Sequence, residues 1–102
     1  MLKNQERFRR AGKRKIILRP DASELIMEGC DIVIEDYFVN GIESPMWYCL
    51  VYLTNEEDIK KLLSLGDRHF QDHGTNGSGF RVLYSSGNRD NVLNDIRKSL
   101  SQ

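Results

Sequence analysis

The chain has 102 residues, of which 39% are hydrophobic and 29% charged, with 15 basic side chains against 15 acidic ones. This length allows one domain and is too short for two domains with separate cores. The apolar content excludes a wholly disordered chain, and no stretch approaches the roughly 18 apolar residues that span a bilayer. The basic first residues are not followed by an apolar run, so we expect no secretory signal and a cytoplasmic protein that does not enter a membrane.

The zero net charge hides an uneven distribution of charge along the chain. Residues 1–19 carry eight basic side chains and one acidic side chain, whereas residues 20–102 carry seven basic and fourteen acidic ones. We therefore divide the chain into a basic N-terminal arm or short helix at 1–14 and a single α+β domain at 15–102. Such a partition is typical of proteins that contact a charged partner. Docking of the arm on its own acidic body explains the partition equally well.

The N-terminal segment predicts two short elements. Residues 2–12 could form a short helix that ends at Gly12, although only two large apolar side chains would anchor it. Residues 15–20 are a β-prone run that stops at Pro20. An optional helix and one strand therefore begin the fold.

Two longer apolar segments follow. Residues 24–39 are long for one strand, and Gly29 marks a bulge or a break within them. An Asn-Gly turn signal then leads into residues 46–53, which are apolar on both alternating sets. That pattern is typical of a central strand covered on both faces.

The hydrophobic period then changes to that of a helix. Thr54 as N-cap and Glu57 three residues later fit a capping box, and Gly66 gives the C-terminal stop. Residues 67–79 predict an extra turn and a flexible loop, because their glycine-rich end lacks the strand-before and helix-after context of a phosphate-binding loop. Residues 80–85 predict the next strand.

A final helix completes an order of (α)βββαβα. Asn88 gives its N-cap signal. Its apolar stripe consists of Val92, Leu93, Ile96 and Leu100. This order predicts a two-layer α+β domain, with a mainly antiparallel sheet of about four strands and two helices on one face. A right-handed crossover between the strands at 46–53 and 80–85 would make those two strands parallel and the sheet mixed.

The sheet face opposite the helices predicts a protein-binding surface. Ile32, Ile34 and Phe38 form the better core set of their strand, with Asp36 on the same parity. The other parity carries carboxylates interleaved with an aromatic ring, and aromatic side chains carry much interface energy. An ordinary solvated face remains the alternative. The residues assigned to this surface are Asp31, Glu35, Asp36, Tyr37, Tyr48 and Tyr52.

These observations lead to one main hypothesis and one alternative. The main hypothesis is a small non-catalytic intracellular protein of inhibitor, immunity or antitoxin type, without cofactor, which binds a protein partner of basic character. The alternative is a nucleic-acid-associated protein that binds phosphates through its basic arm within residues 1–19. The residues assigned to that arm are Arg7, Arg9, Arg10, Lys13, Arg14 and Lys15. A homodimer is compatible with both hypotheses.

A second alternative is a small hydrolase centred on His69 and His73. On a helix, two histidines four residues apart point to one side, where they could bind a metal ion or act as general acid and base. Their position after the predicted helix end and the lack of a third ligand by spacing favour solvated loop histidines instead. Cys30 and Cys49 have no neighbouring base that would make either a nucleophile, so we expect reduced, buried thiols.

Overall fold

The computed structural model describes residues 9–19 and 28–101, which form six strands and two helices. The strands and helices, in chain order, are β1 (Arg9–Ala11), β2 (Arg14–Arg19), β3 (Ile32–Asn40), β4 (Pro45–Leu53), α1 (Glu56–Leu63), β5 (Gln71–Thr75), β6 (Arg81–Ser85) and α2 (Arg89–Leu100). The α+β class is confirmed. The expected number of about four strands is too low, because two short strands carry almost no apolar signal.

The strands form one mixed sheet in the order β1-β2-β3-β4-β6-β5. β2 and β3 run parallel, with Ile16 opposite Ile32, and the other neighbouring strands are antiparallel. The predicted parallel pairing of 46–53 with 80–85 is wrong, because β4 and β6 are antiparallel with Val51 opposite Leu83. The reason is the additional strand β5 at the sheet edge, from which the chain reverses direction to enter β6 between β5 and β4.

The strand β5 lies where the sequence predicts a turn and a flexible loop. All five of its residues are exposed, so it has no apolar alternation that a pattern could detect. Its register with β6 shifts between Asp72 and Thr75, where Gly74 has a φ of 80°. The turn that follows is held by Asn76, whose side chain accepts hydrogen bonds from the backbone N–H groups of Ser78 and Phe80 at 3.0 Å. Pairing with β6 therefore orders this segment.

A β-hairpin occupies the end of the predicted N-terminal helix. Ala11 pairs with Arg14, which leaves Gly12 and Lys13 as a two-residue turn, and Gly12 has the positive φ of 61° that such turns favour. A helix is therefore wrong for residues 9–11, and Ala11 is buried in the core. The rest of that predicted helix, the Pro20 stop and the start of the predicted strand at 24–39 lie outside the described residues.

Both helices pack on the same face of the sheet and form the main core with it. Asn88 caps α2 as predicted and accepts a hydrogen bond from the backbone of Asn91 at 2.9 Å. The N-cap of α1 is Asn55, one residue after the predicted Thr54. The apolar stripe of α2 is buried as expected, at Val92, Leu93, Ile96 and Leu100. Within the described residues, no helix is long and apolar enough to cross a membrane.

The opposite face of the sheet is partly closed by a smaller second cluster. Ile17, Val33 and Tyr52 are buried there, and Leu50 and Val82 pack against them. The core set predicted for β3 is confirmed for Ile32 and Ile34, which belong to the helix-side core while Val33 belongs to the other face. It is wrong for Phe38, which is 48% exposed because it lies beyond the strands that cover the centre of the sheet.

Candidate functional site

The hairpin formed by β3 and β4 extends beyond its neighbours in the sheet. β2 pairs with β3 only as far as Glu35, and β6 pairs with β4 only from Cys49 onward. Residues 36–48, which we call the projecting hairpin, therefore form a two-stranded ribbon whose outer edges have no strand partner in the described part of the chain. Such a ribbon is marginally stable alone in water, so its side-chain contacts must contribute to its order.

The projecting hairpin carries most of the exposed large apolar side chains. Among the described residues, only Leu65 is a large hydrophobic residue of comparable exposure elsewhere. Ile42 at the tip is fully exposed, and the other members are 42–50% exposed. The apolar hairpin patch consists of Phe38, Val39, Ile42, Met46 and Trp47. Apolar patches of this kind mark sites of association more often than scattered single side chains do.

The apolar hairpin patch covers both faces of the ribbon. Phe38 lies opposite Trp47, with ring centroids 4.6 Å apart and ring planes at 51°. Val39 lies opposite Met46 on the other face. Tilted aromatic pairs in cross-strand positions contribute to the stability of a ribbon beyond the area they bury. None of these residues was among the predicted site residues. The sequence signal that could have pointed to them is that both alternating sets of side chains in residues 46–53 are apolar, which leaves apolar side chains on both faces of the strand.

A row of aromatic rings crosses the sheet on the face opposite the helices. The ring centroids are 4.9 Å apart from Tyr37 to Tyr48, 5.7 Å from Tyr48 to Tyr84, and 5.3 Å from Tyr84 to His73. Each ring turns its face toward the next one. The inner rings therefore lack the free face on which a nucleic-acid base stacks.

Four of the six predicted partner-binding residues lie on this face: Glu35, Tyr37, Tyr48 and Tyr52. Two of them, Glu35 and Tyr52, are buried. Glu35 is 0% exposed and accepts a hydrogen bond from the Tyr37 hydroxyl at 3.2 Å, while Tyr48 is half-buried. The other oxygen of the Glu35 carboxyl is buried without a hydrogen-bond partner. Burial raises the pKa of Tyr52, and the hydrogen bond with Glu35 raises it further. Carboxyl and phenol therefore form part of an internal network under the aromatic row.

The other two predicted partner-binding residues lie elsewhere. Asp31 is exposed just before β3, where its carboxylate accepts a hydrogen bond from the backbone N–H of Lys15 at 2.8 Å. Asp36 lies on the helix side of the sheet, beside Trp47 and the first turn of α2. The six residues therefore do not share one continuous surface.

The basic residues of the alternative hypothesis are divided between structural and exposed positions. Arg14 pairs with Asp58 and also donates to the carbonyl of Leu100 at 2.5 Å, so its charge is used inside the fold. Arg7 lies outside the described residues. The remaining members are exposed on the β1–β2 hairpin, at Arg9, Arg10, Lys13 and Lys15.

The two histidines lie on opposite sides of the sheet. The Nδ1 atom of His69 is 2.9 Å from a carboxylate oxygen of Asp95 in α2, on the helix side. His73 stacks on Tyr84 on the other face. His69 lies in the turn before β5 and His73 lies within β5, so the two histidines do not share one side of a helix. Among the residues described here, no group of three or more His, Cys, Asp or Glu side chains could hold a metal ion.

Comparison with known proteins yields no match to a family model and none to a curated protein sequence.

Proposed function

We propose that this protein is a non-catalytic binding module of inhibitor, immunity or antitoxin type, which engages a protein partner through the projecting hairpin. The observation that carries the proposal is the concentration of exposed apolar side chains on residues 36–48. The contacts within the ribbon bury only about half of the tryptophan, phenylalanine and methionine side chains, so a large apolar area remains in water. A partner that covers them removes this apolar surface from water.

The composition of the apolar hairpin patch supports a protein as the partner. Trp and Phe are enriched at protein interfaces, and Trp above all among the residues that dominate binding energy. Complete burial of one large apolar side chain contributes roughly 1.5–3 kcal/mol, before the costs of association are subtracted. The outer edge of β4 also offers backbone groups at residues 45–48 to which an extended partner segment could add as a strand.

Charge substitutions in the patch test this proposal. Ile42→Asp and Met46→Asp place a carboxylate where the partner would bury an apolar side chain. Leu65→Asp is the matched control, because Leu65 is also exposed but lies after α1, away from the hairpin. Affinity capture from source-organism lysate, after nuclease treatment, compares the three variants with the unaltered chain. We expect one protein to be retained by the unaltered chain and by Leu65→Asp, and lost with Ile42→Asp.

Unchanged binding by the hairpin variants would reject this proposal. If both hairpin variants retain the same proteins as the unaltered chain, the projecting hairpin is not the binding surface. Because Ile42 is fully exposed, Ile42→Asp should leave the urea midpoint of unfolding unchanged, which separates lost binding from lost folding.

A second candidate function rests on the exposed basic side chains of the β1–β2 hairpin. Contact of four such side chains with phosphates predicts a slope of about −3 to −4 in log affinity against log salt. The combined variant Arg10→Ala, Lys13→Ala and Lys15→Ala should then lose affinity for a single-stranded or duplex oligonucleotide. The control is Lys60→Ala with Lys61→Ala, a pair of exposed lysines on α1. Salt-insensitive binding, or no binding, rejects this candidate.

A further inference from the structure

A small cleft opens at the base of the projecting hairpin, where α2 begins. Its volume is about 270 Å³. We call it the Trp47 cleft, and its lining residues are Asp36, Trp47, Asn88, Arg89 and Asp90. It adjoins the apolar hairpin patch through Trp47, which belongs to both. A partner seated on the patch would therefore reach the cleft.

The charges in the Trp47 cleft are unbalanced toward the negative. Asp36 and Asp90 bring two carboxylates, and Arg89 brings one guanidinium. One carboxylate oxygen of Asp36, Oδ1, is buried and accepts no hydrogen bond from the described residues, while the guanidinium of Arg89 lines the same cleft. A buried polar atom without a partner is rare in folded proteins, so this oxygen retains the capacity to accept a hydrogen bond.

An aromatic ring stands beside this unpaired oxygen. Asp36 pairs with Cys49 across the strands, and Trp47 lies two residues before Cys49, so Asp36 and Trp47 are diagonal neighbours on one face. Phe38 packs against the Trp47 ring and fixes its orientation. The indole is the side chain that attracts cations most strongly through its face. Carboxylate and indole together therefore suit a cation.

We propose that the Trp47 cleft receives an arginine or lysine side chain of the protein partner. This inference rests on the proposed function and names the chemistry of the partner at that same surface. Arginine fits better than lysine, because the planar guanidinium can stack on an indole and donate to a carboxylate at the same time. The acidic excess of residues 20–102 favours a partner of basic character.

The first turn of α2 does not make the cleft a site for an anion. A helix N-terminus attracts negative charge, and Arg89 would add to that attraction. However, the Asn88 side chain already satisfies the backbone N–H of Asn91, so the N-terminus is capped. An anion in the cleft would also meet the unpaired oxygen of Asp36, which repels it.

The single tryptophan of the chain provides a direct probe of the cleft. Trp47 is the only tryptophan in the sequence, so fluorescence excited selectively at tryptophan and the indole N–H resonance report on this site alone. The probe ligand is Nα-acetylarginine amide at constant ionic strength. The matched ligand is Nα-acetylcitrulline amide, which has nearly the same shape without the charge. We expect a saturable change with the arginine compound and none with the citrulline compound.

Two protein variants complete the experiment. Asp36→Asn keeps the shape of the side chain and removes its charge, and it should weaken the arginine titration by about tenfold or more. Asp67→Asn removes the charge of an exposed carboxylate in the turn before β5 and should leave the titration unchanged. Equal urea midpoints for the two variants establish that both remain folded.

The outcomes separate this inference from the proposed function. The cleft proposal is overturned if the arginine compound gives no saturable change up to its solubility limit. It is also overturned if citrulline titrates equally, or if Asp36→Asn titrates like the unaltered chain. Ile42→Asp should leave the arginine titration intact, since Ile42 does not line the cleft. Loss of the partner with Ile42→Asp then supports hairpin docking even if the cleft proposal fails.

Discussion

The guanidinium of Arg14 donates two hydrogen bonds to the carboxylate of Asp58, 2.9 Å from Nε to Oδ2 and 2.5 Å from Nη2 to Oδ1. The third nitrogen of the same guanidinium donates to the carbonyl of Leu100. One side chain of β2 therefore joins the first turn of α1 to the end of α2. The Asp58 side chain is 2% exposed, so the Arg14 guanidinium takes the place of the water that would otherwise solvate it.

Removal of the Arg14 charge should destabilise the fold strongly. Arg14→Met leaves a buried carboxylate without its cation, which typically costs about 3–5 kcal/mol in the free energy of unfolding. Urea denaturation measures the loss. Lys13→Met serves as control, because Lys13 is exposed in the adjacent turn and should shift the stability by less than about 0.5 kcal/mol. Equal midpoints for the two variants would show that the ion pair contributes nothing net.

The turn between β1 and β2 requires a glycine. Gly12 has a φ of 61°, and a Cβ atom there would lie 2.9 Å from the carbonyl oxygen of Leu100. Gly12→Ala should therefore lower the free energy of unfolding by roughly 1–2 kcal/mol, through backbone strain and this close approach. The control is Gly77→Ala, where a Cβ would meet no atom within 4 Å. A neutral Gly12→Ala would mean that the end of α2 yields to the new methyl group.

The ion pair at the edge strand predicts a pH dependence of stability. Hydrogen bonds from Arg81 and from the backbone of Gly74 lower the pKa of Asp72 from 3.8 to about 2. A lowered pKa in the folded state stabilises the protein fully above the unfolded value of 3.8, and this contribution is lost as the pH falls toward 2. Both partners are near the surface, so we expect less than about 1 kcal/mol.

Unfolding measurements on Asp72→Asn isolate this contribution. The variant should be slightly less stable than the unaltered chain at pH 6, and the difference should shrink as the pH falls from 4 through about 2. A difference that stays constant across this range would assign the effect to shape rather than to charge.

The two free thiols should differ from an ordinary cysteine in reactivity. Burial, followed by the charge of Asp36, raises the pKa of Cys49 from 9.0 to about 12. Burial also raises the pKa of Cys30. Because the thiolate is the reactive form, Cys49 should react with a disulfide reagent at pH 8 at least about tenfold more slowly than an unperturbed thiol. The Cys30→Ser variant leaves Cys49 as the only thiol to follow, and unfolding in urea should restore a normal rate. Fast reaction of the folded variant would show that Cys49 opens readily to solvent.

The sequence correctly predicts those elements whose apolar pattern and capping residues lie within one short segment of the chain. The sequence predicts the apolar stripe of α2 from Val92 to Leu100 and its N-cap at Asn88. Both signals, the helical period and the capping side chain, lie within the helix and the residue before it. The strand β5 was missed because its five residues are polar and exposed, so only pairing with β6 orders them. The parallel pairing of β2 with β3 likewise depends on residues far apart in the chain, which no periodicity describes.

The candidate site shows the same division between local and non-local information. Alternation along β3 correctly separated Ile32 from Val33, since parity is a property of one strand. Whether a side chain is exposed depends on how far the neighbouring strands extend. Glu35 is buried where β2 still covers the edge, whereas Phe38 is exposed beyond it. The sequence pattern therefore identifies β3 and β4 as strands, whereas the exposure of the end of their hairpin depends on where β2 and β6 stop.

The parallel alignment of β2 with β3 has a consequence for how the native protein opens. β3, β4, β5 and β6 are joined through antiparallel neighbours, while β2 pairs with β3 in parallel along the four residue pairs from Ile16–Ile32 to Arg19–Glu35. β1 and β2 also contact the helices, through Arg14 and through the core side chains Ala11, Ile16 and Leu18. In native-state hydrogen exchange we expect the amides of β1 and β2 to exchange by a partial unfolding that leaves the other four strands protected. This partly unfolded form would expose the unpaired backbone edge of β3. At high concentration, such an edge can pair with another copy of the chain and cause aggregation.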